Sequence, residues 1–443
     1  MTRQRDLKTR IRARMKKTGE RYTSARAQIL QQSSTQEATA HFPGVLDGYD
    51  RFGGVQGETA ILQNVLRHSS VTHPANSEPY SETMLHGLCG GLGFMYAVFE
   101  YKGWPPMLTM VMRSGTMPDT YMMPVFDRIG VTIKSEQTTS ANRARQHLDK
   151  ALDAGKPAIC VVDIAHLPYY GVPSQMAGMG PHYVAVVGRD GDDFWLDDRS
   201  PRPCRVSADQ LALARNGYKK AKHHLITIES HDPKFDWKAS LYDAIGATCR
   251  ALEEGDVGVP PSFRTNCGFA GMEKWQRLLT DAKDKKGWST VFNTPDKAYV
   301  GLRRAYECIQ YEYTAPAGGR LFYAEFLDEA AGLAPDTKLS KAAEHWRDAA
   351  DGWSALAGLI ADAPDDAIQK GCQLCDQRAE LLDQDADAAT DELQRLAEAQ
   401  RHLKVDCHLT PESAVKVFDA MADRLEDIIA IERRAVEALR ATQ

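Results

Sequence analysis

Gly180-Pro181-His182-Tyr183-Val184-Ala185-Val186-Val187-Gly188, the charged turn Arg189-Asp190-Gly191-Asp192-Asp193, and the return Phe194-Trp195-Leu196-Asp197-Asp198-Arg199-Ser200 read as a β-hairpin. The first run is continuously apolar, as in a strand covered on both faces. A charged turn containing glycine then reverses the chain. In an antiparallel pair the start of one strand lies beside the end of the other. His182 therefore comes within reach of the carboxylates ending the return strand, with Asp198 preferred over Asp197. A carboxylate there fixes the tautomer of an imidazole and supports its cation, which is the base–orienter half of a catalytic triad.

Outward from the hairpin, Ala158–Ile164 and His224–Ile228 are further short apolar runs bounded by turns. Glu58–His68, Ser81–Tyr101 (capped at Ser81) and Ala141–Ala154 read as helices. Helices followed by an antiparallel meander make an α+β arrangement. After Asp232 the periodicity is helical throughout: Trp237–Glu253, Met272–Ala282, Asp296–Tyr313, Leu321–Leu333, Lys338–Ala363, Asp365–Asp383, Ala388–His402 and Glu412–Ala441. The expected organisation is a basic helix and linker over 1–39, an α+β domain over 40–230 and an all-α domain over 231–443. The basic stretch (Arg3 to Arg26) is expected to be a solvated helix or flap, the rarer readings being a transit peptide or an anion-binding arm. Ser33-Ser34-Thr35-Gln36 follows it as linker.

The 443 residues are 43% apolar and 26% charged, an ordinary globular composition with room for more than one core. A net charge of −6 favours neither nucleic acid nor membrane as a partner. No apolar run reaches the roughly 18–20 residues of a membrane span, and no signal peptide is seen. Nine scattered cysteines suit a reducing, cytoplasmic setting with free thiols.

A nucleophile for His182 is best placed where a helix begins, because the dipole and free amides lower a thiol pKa and stabilise an oxyanion. Cys89 lies in the glycine-rich Leu85-His86-Gly87-Leu88-Cys89-Gly90-Gly91-Leu92-Gly93-Phe94, where Gly90 and Gly91 could offer oxyanion amides. The alternative is tight helix packing around an inert thiol. No Gly-Lys-Ser/Thr follows, so a phosphate loop is not supported. The second glycine-rich helix start, Gly53-Gly54-Val55-Gln56-Gly57-Glu58-Thr59-Ala60, has no cysteine.

From about Phe52 to Glu229 the sequence resembles the N-terminal domain of the butirosin-biosynthesis H-type proteins. The residues that carry this are the Gly54–Leu66 helix start, Ser81-Glu82 leading into the Gly87–Phe94 segment, and the His182–Asp198 hairpin. The rest looks like the helical domain of unknown function that often follows, through Asn266-Cys267-Gly268-Phe269, Trp275, Arg320-Leu321-Phe322 and Phe326-Leu327-Asp328-Glu329. The resemblance implies a papain-like fold similar to bacteriocin-leader peptidases. It also implies an acyl group passed from a carrier-protein thioester to an amine through cysteine. This chain departs from the pattern: the family's His-Cys pair falls on Gln56-Gly57, and Cys89 stands where glycine is expected. Either the thiol has moved to position 89 or cysteine catalysis is lost.

Two functions follow as expectations. The first is a cysteine-dependent acyltransferase or amide/thioester hydrolase of bacterial specialised metabolism. It would use Cys89 as nucleophile, His182 as base and acid, and Asp198 as orienter, with Gln56, Gly90, Gly91 and Tyr169 at the substrate or oxyanion. The second is a degenerate binding module holding a peptide, lipid or carrier-protein arm. A weaker third has Thr59 as nucleophile or a His/Asp-activated water. No cofactor or metal is called for, and a homodimer is possible for so helical a chain. Asp163, His166 and Tyr170 read either as a polar loop or as lining of the cleft. The methionines between Met107 and Met179 read as core filling rather than a pocket. Cys372, Cys375, Cys407 and His408 could supply zinc ligands, but Cys372 and Cys375 sit in mid-helix without a knuckle turn. His223, His224 and His231 read as a strand end.

Overall fold

The structure, a computed structural model, describes residues 42–443, so the basic stretch and its linker lie outside the described residues. Helix α1 (Gly57–His68) is followed by α2 (Glu82–Leu88), whose first turn is capped by Ser81 Oγ accepting from Met84 N at 2.9 Å. Strands β1 (Leu92–Phe99) and β2 (Met107–Arg113) form an antiparallel hairpin. Helix α3 (Pro118–Arg128), β3 (Val131–Glu136), α4 (Ala141–Asp153) and β4 (Ala158–Asp163) follow. Then come β5 (Pro181–Asp190), β6 (Asp193–Asp197), β7 (Cys204–Ser207), α5 (Ala208–Gly217) and β8 (Leu225–His231). The six strands β3-β8-β4-β5-β6-β7 make one fully antiparallel sheet.

Strand β5 is its centre. Tyr183, Ala185 and Val187 enter the large core, while Val184 and Val186 enter a smaller core on the opposite face. This double burial accounts for the unbroken apolar run. The turn is Gly191-Asp192, and Asp190 opposes Asp193.

The C-terminal region is helical: α6 (Trp237–Glu253), α7 (Gly268–Thr280), the single turn α8 (Trp288–Val291), α9 (Pro295–Gln310), α10 (Arg320–Leu333), α11 (Thr337–Ala361), α12 (Asp366–Asp385), α13 (Thr390–His402) and α14 (Pro411–Arg440). The longer ones lie close to the segments expected from periodicity. Their apolar stripes bury Trp275, Trp346, Trp353 and Phe326 completely.

One expected helix is corrected. Ser81–Tyr101 is not continuous: α2 stops at Leu88, and Leu92–Phe99 is a strand. Gly90 (φ +100°) and Gly91 (φ +57°) turn the chain through backbone angles that favour glycine. Beyond them an apolar run too short to distinguish helix from strand pairs with the methionine-rich Met107–Arg113. The hairpin inserts among the helices of the second half, with Phe94 stacked 6.2 Å from Trp275 and 6.1 Å from Trp353. Trp288 Nε1 donates to Tyr96 Oη at 2.9 Å.

Gly91 also permits close packing, since a Cβ there would lie 2.3 Å from the Tyr323 ring. Gly91→Ala is therefore expected to cost roughly 2–4 kcal/mol from overpacking and left-handed backbone strain. The fall in urea midpoint measures it, and an unchanged midpoint would refute it.

Candidate active site

The site forms where α1 begins against the end of the β5–β6 hairpin. His182 Nε2 lies 3.0 Å from both Asp198 oxygens. Both side chains are almost fully buried. Tyr169 Oη donates to Asp198 Oδ2 at 2.9 Å and Tyr170 Oη to Oδ1 at 3.2 Å. Four-point use of one carboxylate fixes its plane, and with it the imidazole. In the neutral ring Nε2–H is assigned to the carboxylate, leaving Nδ1 with the lone pair. Burial alone would lower the His182 pKa, but the charge and hydrogen bond of Asp198, with help from Glu58, raise it above the usual 6.5.

Asp197 takes a different part. It accepts from Tyr49 Oη (2.6 Å), Gly53 N (2.8 Å) and Asn64 Nδ2 (2.9 Å), tying the segment before α1 to the strand end. Burial pushes its pKa up to about 7 against these donors.

Gly57 is the first residue of α1 and faces the pair. A Cβ built on it would lie 3.7 Å from His182 Cε1 and 3.8 Å from Asp198 Oδ1, with no third contact within 4 Å. Its φ is not positive, so the glycine leaves a Cβ-sized gap that the backbone does not require. The helix start is held by Glu82, whose carboxylate accepts from Val55 N (2.9 Å), Gln56 N (2.8 Å) and Thr59 Oγ1 (3.1 Å).

Beneath Gly57 lies a second polar layer. Glu58 and Arg113 form a buried ion pair at 2.5 Å, with the guanidinium between the rings of Tyr121 (4.6 Å) and Tyr313 (5.2 Å). Burial opposes the Glu58 charge, but Arg113 outweighs it and the Glu58 pKa is lowered. Gln56 Oε1 meets His86 Nδ1 at 3.0 Å, and Tyr121 Oη meets the same nitrogen at 2.6 Å. Burial and the neighbouring Arg320 and Arg113 lower the His86 pKa to about 3, so this imidazole is neutral.

Of the residues singled out in the sequence, His182, Asp198 and Tyr169 are brought together, with Tyr169 supporting the carboxylate rather than lining an open cleft. Gln56 flanks the site, but its oxygen is engaged by His86, and its buried Nε2 has no hydrogen-bond partner among the described residues. Cys89 is not brought to the pair. It is the C-cap of α2, and no hydrogen bond joins it to His182 among the described residues. Its thiol lines a cavity of about 230 Å³ with Ser114, Thr120, Arg128, Arg250 and Asp256. Burial pushes its pKa up to about 12. Gly90 and Gly91 pack against Ser114 and Tyr323 and contribute no amide to the pair. Thr59 is turned to Gln56 O and Glu82. Asp163 holds its own loop through Ala165 N and Gly178 N. Cys375 Sγ accepts from Gln400 Nε2, and among the described residues no cluster of His, Cys, Asp and Glu could hold a metal ion. The Glu58–Arg113 pair was not anticipated, because an arginine ending an apolar strand gives no sequence signal.

An antiparallel sheet thus presents a His–Asp pair to the first turn of a helix, in a mixed α/β region followed by a helical one. Residues 56–199 match the family described as Butirosin biosynthesis protein H, N-terminal, and residues 209–373 match Domain of unknown function (DUF4872). The two matches follow one another in that order along the chain. No curated protein matches it. Among the described residues no helix is long and apolar enough to cross a membrane.

Proposed function

We propose that this chain handles acyl or amide compounds of specialised metabolism without forming an acyl-cysteine, with His182 acting directly on the nucleophile of a second substrate. The observation that carries the reading is the intact, oriented His182–Asp198 pair facing the bare Cα of Gly57. An amine, hydroxyl or water occupying that gap would pass its proton to His182 Nδ1 as its lone pair attacks the acyl carbonyl carbon. The C–S bond of the donor thioester then breaks, and the leaving thiolate takes the proton back from the imidazolium. Asp198 keeps the ring oriented and supports its charge. The donor is proposed as a thioester, carried free or on a carrier protein.

The test is release of free thiol from a short acyl thioester of N-acetylcysteamine in the presence of a primary amine. His182→Ala is expected to lower the rate by about 10²-fold or more, as for loss of a general base, and Cys89→Ser to leave it unchanged. Loss of turnover in Cys89→Ser would overturn the proposal in favour of a covalent route.

A second reading is favoured by the raised His182 pKa, since an imidazolium at a helix start suits a ligand carboxylate held without turnover. The two have opposite pH signatures. General-base turnover needs neutral imidazole and rises as pH passes the folded midpoint above 6.5. Carboxylate binding needs the cation and falls through the same window. A rate profile and a binding titration from pH 6 to 9 separate them.

A further inference from the structure

We infer that the helical half is part of the active site, with α12 and α13 bracing the His182–Asp198 pair and Arg378 as its chief positioning residue. The inference rests on His182 being the working group of the site. The short turn Pro168–Tyr170, with Gly171 following it, carries both hydroxyls that fix Asp198, and its carbonyls face the helical half. Three side chains from the helical half take them up. Gln394 Nε2 donates to Pro168 O at 3.0 Å, Arg378 Nη2 to Tyr170 O at 2.9 Å and Arg401 Nη1 to Gly171 O at 2.9 Å. Arg378 is anchored in turn by Gln400 Oε1 at 3.1 Å and lies 3.6 Å from Glu307.

The other side of Asp198 is gripped by the same helices. Arg199 Nε donates to Asp383 Oδ1 at 2.9 Å, Ala386 N to Ser200 Oγ at 3.1 Å and Arg205 N to Asp387 Oδ1 at 3.0 Å. Both segments that set the carboxylate plane are therefore fastened to residues 378–401. All of that stretch lies after residue 373, where the matched domain of unknown function ends. An excised first half would keep the sheet and the His182–Asp198 hairpin but lose the groups that hold Tyr169 and Tyr170 over Asp198.

The experiment uses the full chain and follows the His182 ring by NMR titration, with His182→Ala for assignment. In the wild type the midpoint lies above 6.5. Arg378→Ala is expected to move it toward 6.5 by at least about 0.5 unit, as loosened tyrosines admit water to the pair. Arg433→Ala, which breaks an exposed ion pair with Glu273 elsewhere in the helical half, is expected to leave it in place. In a Tyr169→Phe/Tyr170→Phe background Arg378→Ala should add nothing, because the path through the hydroxyls is already cut. An unmoved midpoint, or an equal shift in both backgrounds, overturns the inference. Should Arg378→Ala fail to fold, Gln394→Ala, exposed and donating only to Pro168 O, makes the same comparison. The readout does not depend on turnover: a moved midpoint in a chain that never cleaves thioester upholds the brace and sinks only the proposed chemistry.

Discussion

Gly57→Cys is expected to create a thiol that alkylates at pH 6–7 while the native cysteines stay silent. The new Cβ would sit in ordinary contact with His182 Cε1 at 3.7 Å and Asp198 Oδ1 at 3.8 Å, so nothing has to move. Being the first residue of α1, it would also receive the field of the helix start. A thiol beside an imidazole already oriented by a carboxylate forms a thiolate–imidazolium pair, with a pKa near or below about 6, against ~8.5 for free cysteine. About three-quarters of it or more is then ionised at pH 6.5, where a free thiol is about 1% thiolate. The lower nucleophilicity of a less basic thiolate takes back part of the gain, leaving alkylation roughly five- to tenfold faster. The background is clean because all nine native cysteines are buried. Adding His182→Ala should restore ordinary thiol behaviour. A Gly57→Cys thiol indifferent to His182 would mean that the pair does not face position 57 in solution, and the proposed function would fall with it.

The physics of the sequence explains why some of this geometry was legible. His182 and Asp198 are joined by a hairpin whose turn chemistry and double-sided burial leave little freedom of register. A pairing sixteen residues apart could therefore be reasoned from strand geometry alone. The long helices of the second half were legible because each needs an apolar stripe recurring every turn. The Leu92–Phe99 strand was not: both of its faces are buried, so neither period shows, and only the two left-handed glycines mark the break. Tyr170 was visible as a polar loop residue, but its bond to Asp198 and its support from Arg378 are contacts across 28 and 208 residues that no local pattern encodes. Cys89 drew notice as the sole thiol in a glycine-rich stretch. Those glycines serve a hairpin turn against Ser114 and Tyr323, which leaves the thiol in a separate cavity.

Glu432→Ala is expected to be the most destabilising single change in the helical half. Glu432 and Arg320 are both fully buried, with Arg320 Nε donating to Oε1 at 2.7 Å and Nη2 to Oε2 at 3.2 Å. The same Oε1 accepts from Trp353 Nε1 at 2.6 Å. Arg320 reaches the hairpin as well, through Met112 O at 3.0 Å and Gly93 O at 3.3 Å, and holds the α10 start through Gly318 O at 2.7 Å. The carboxylate thus neutralises a buried guanidinium that ties β1–β2 to the helices. Removing it strands a buried cation and an indole N–H, at a cost of about 3–5 kcal/mol. Elsewhere a buried ion pair can often be exchanged for apolar residues with little loss. Here Arg320→Met with Glu432→Leu should not recover stability, because three backbone carbonyls and Trp353 Nε1 would lose their partners. Urea unfolding followed by tryptophan fluorescence reads this directly, since Trp275 and Trp353 stack on the same hairpin. A loss under about 1 kcal/mol for Glu432→Ala, well below the cost of stranding a buried charge, would mean that water reaches Arg320 and that the hairpin is held by its aromatic packing and the Trp288–Tyr96 and Arg304–Leu108 hydrogen bonds.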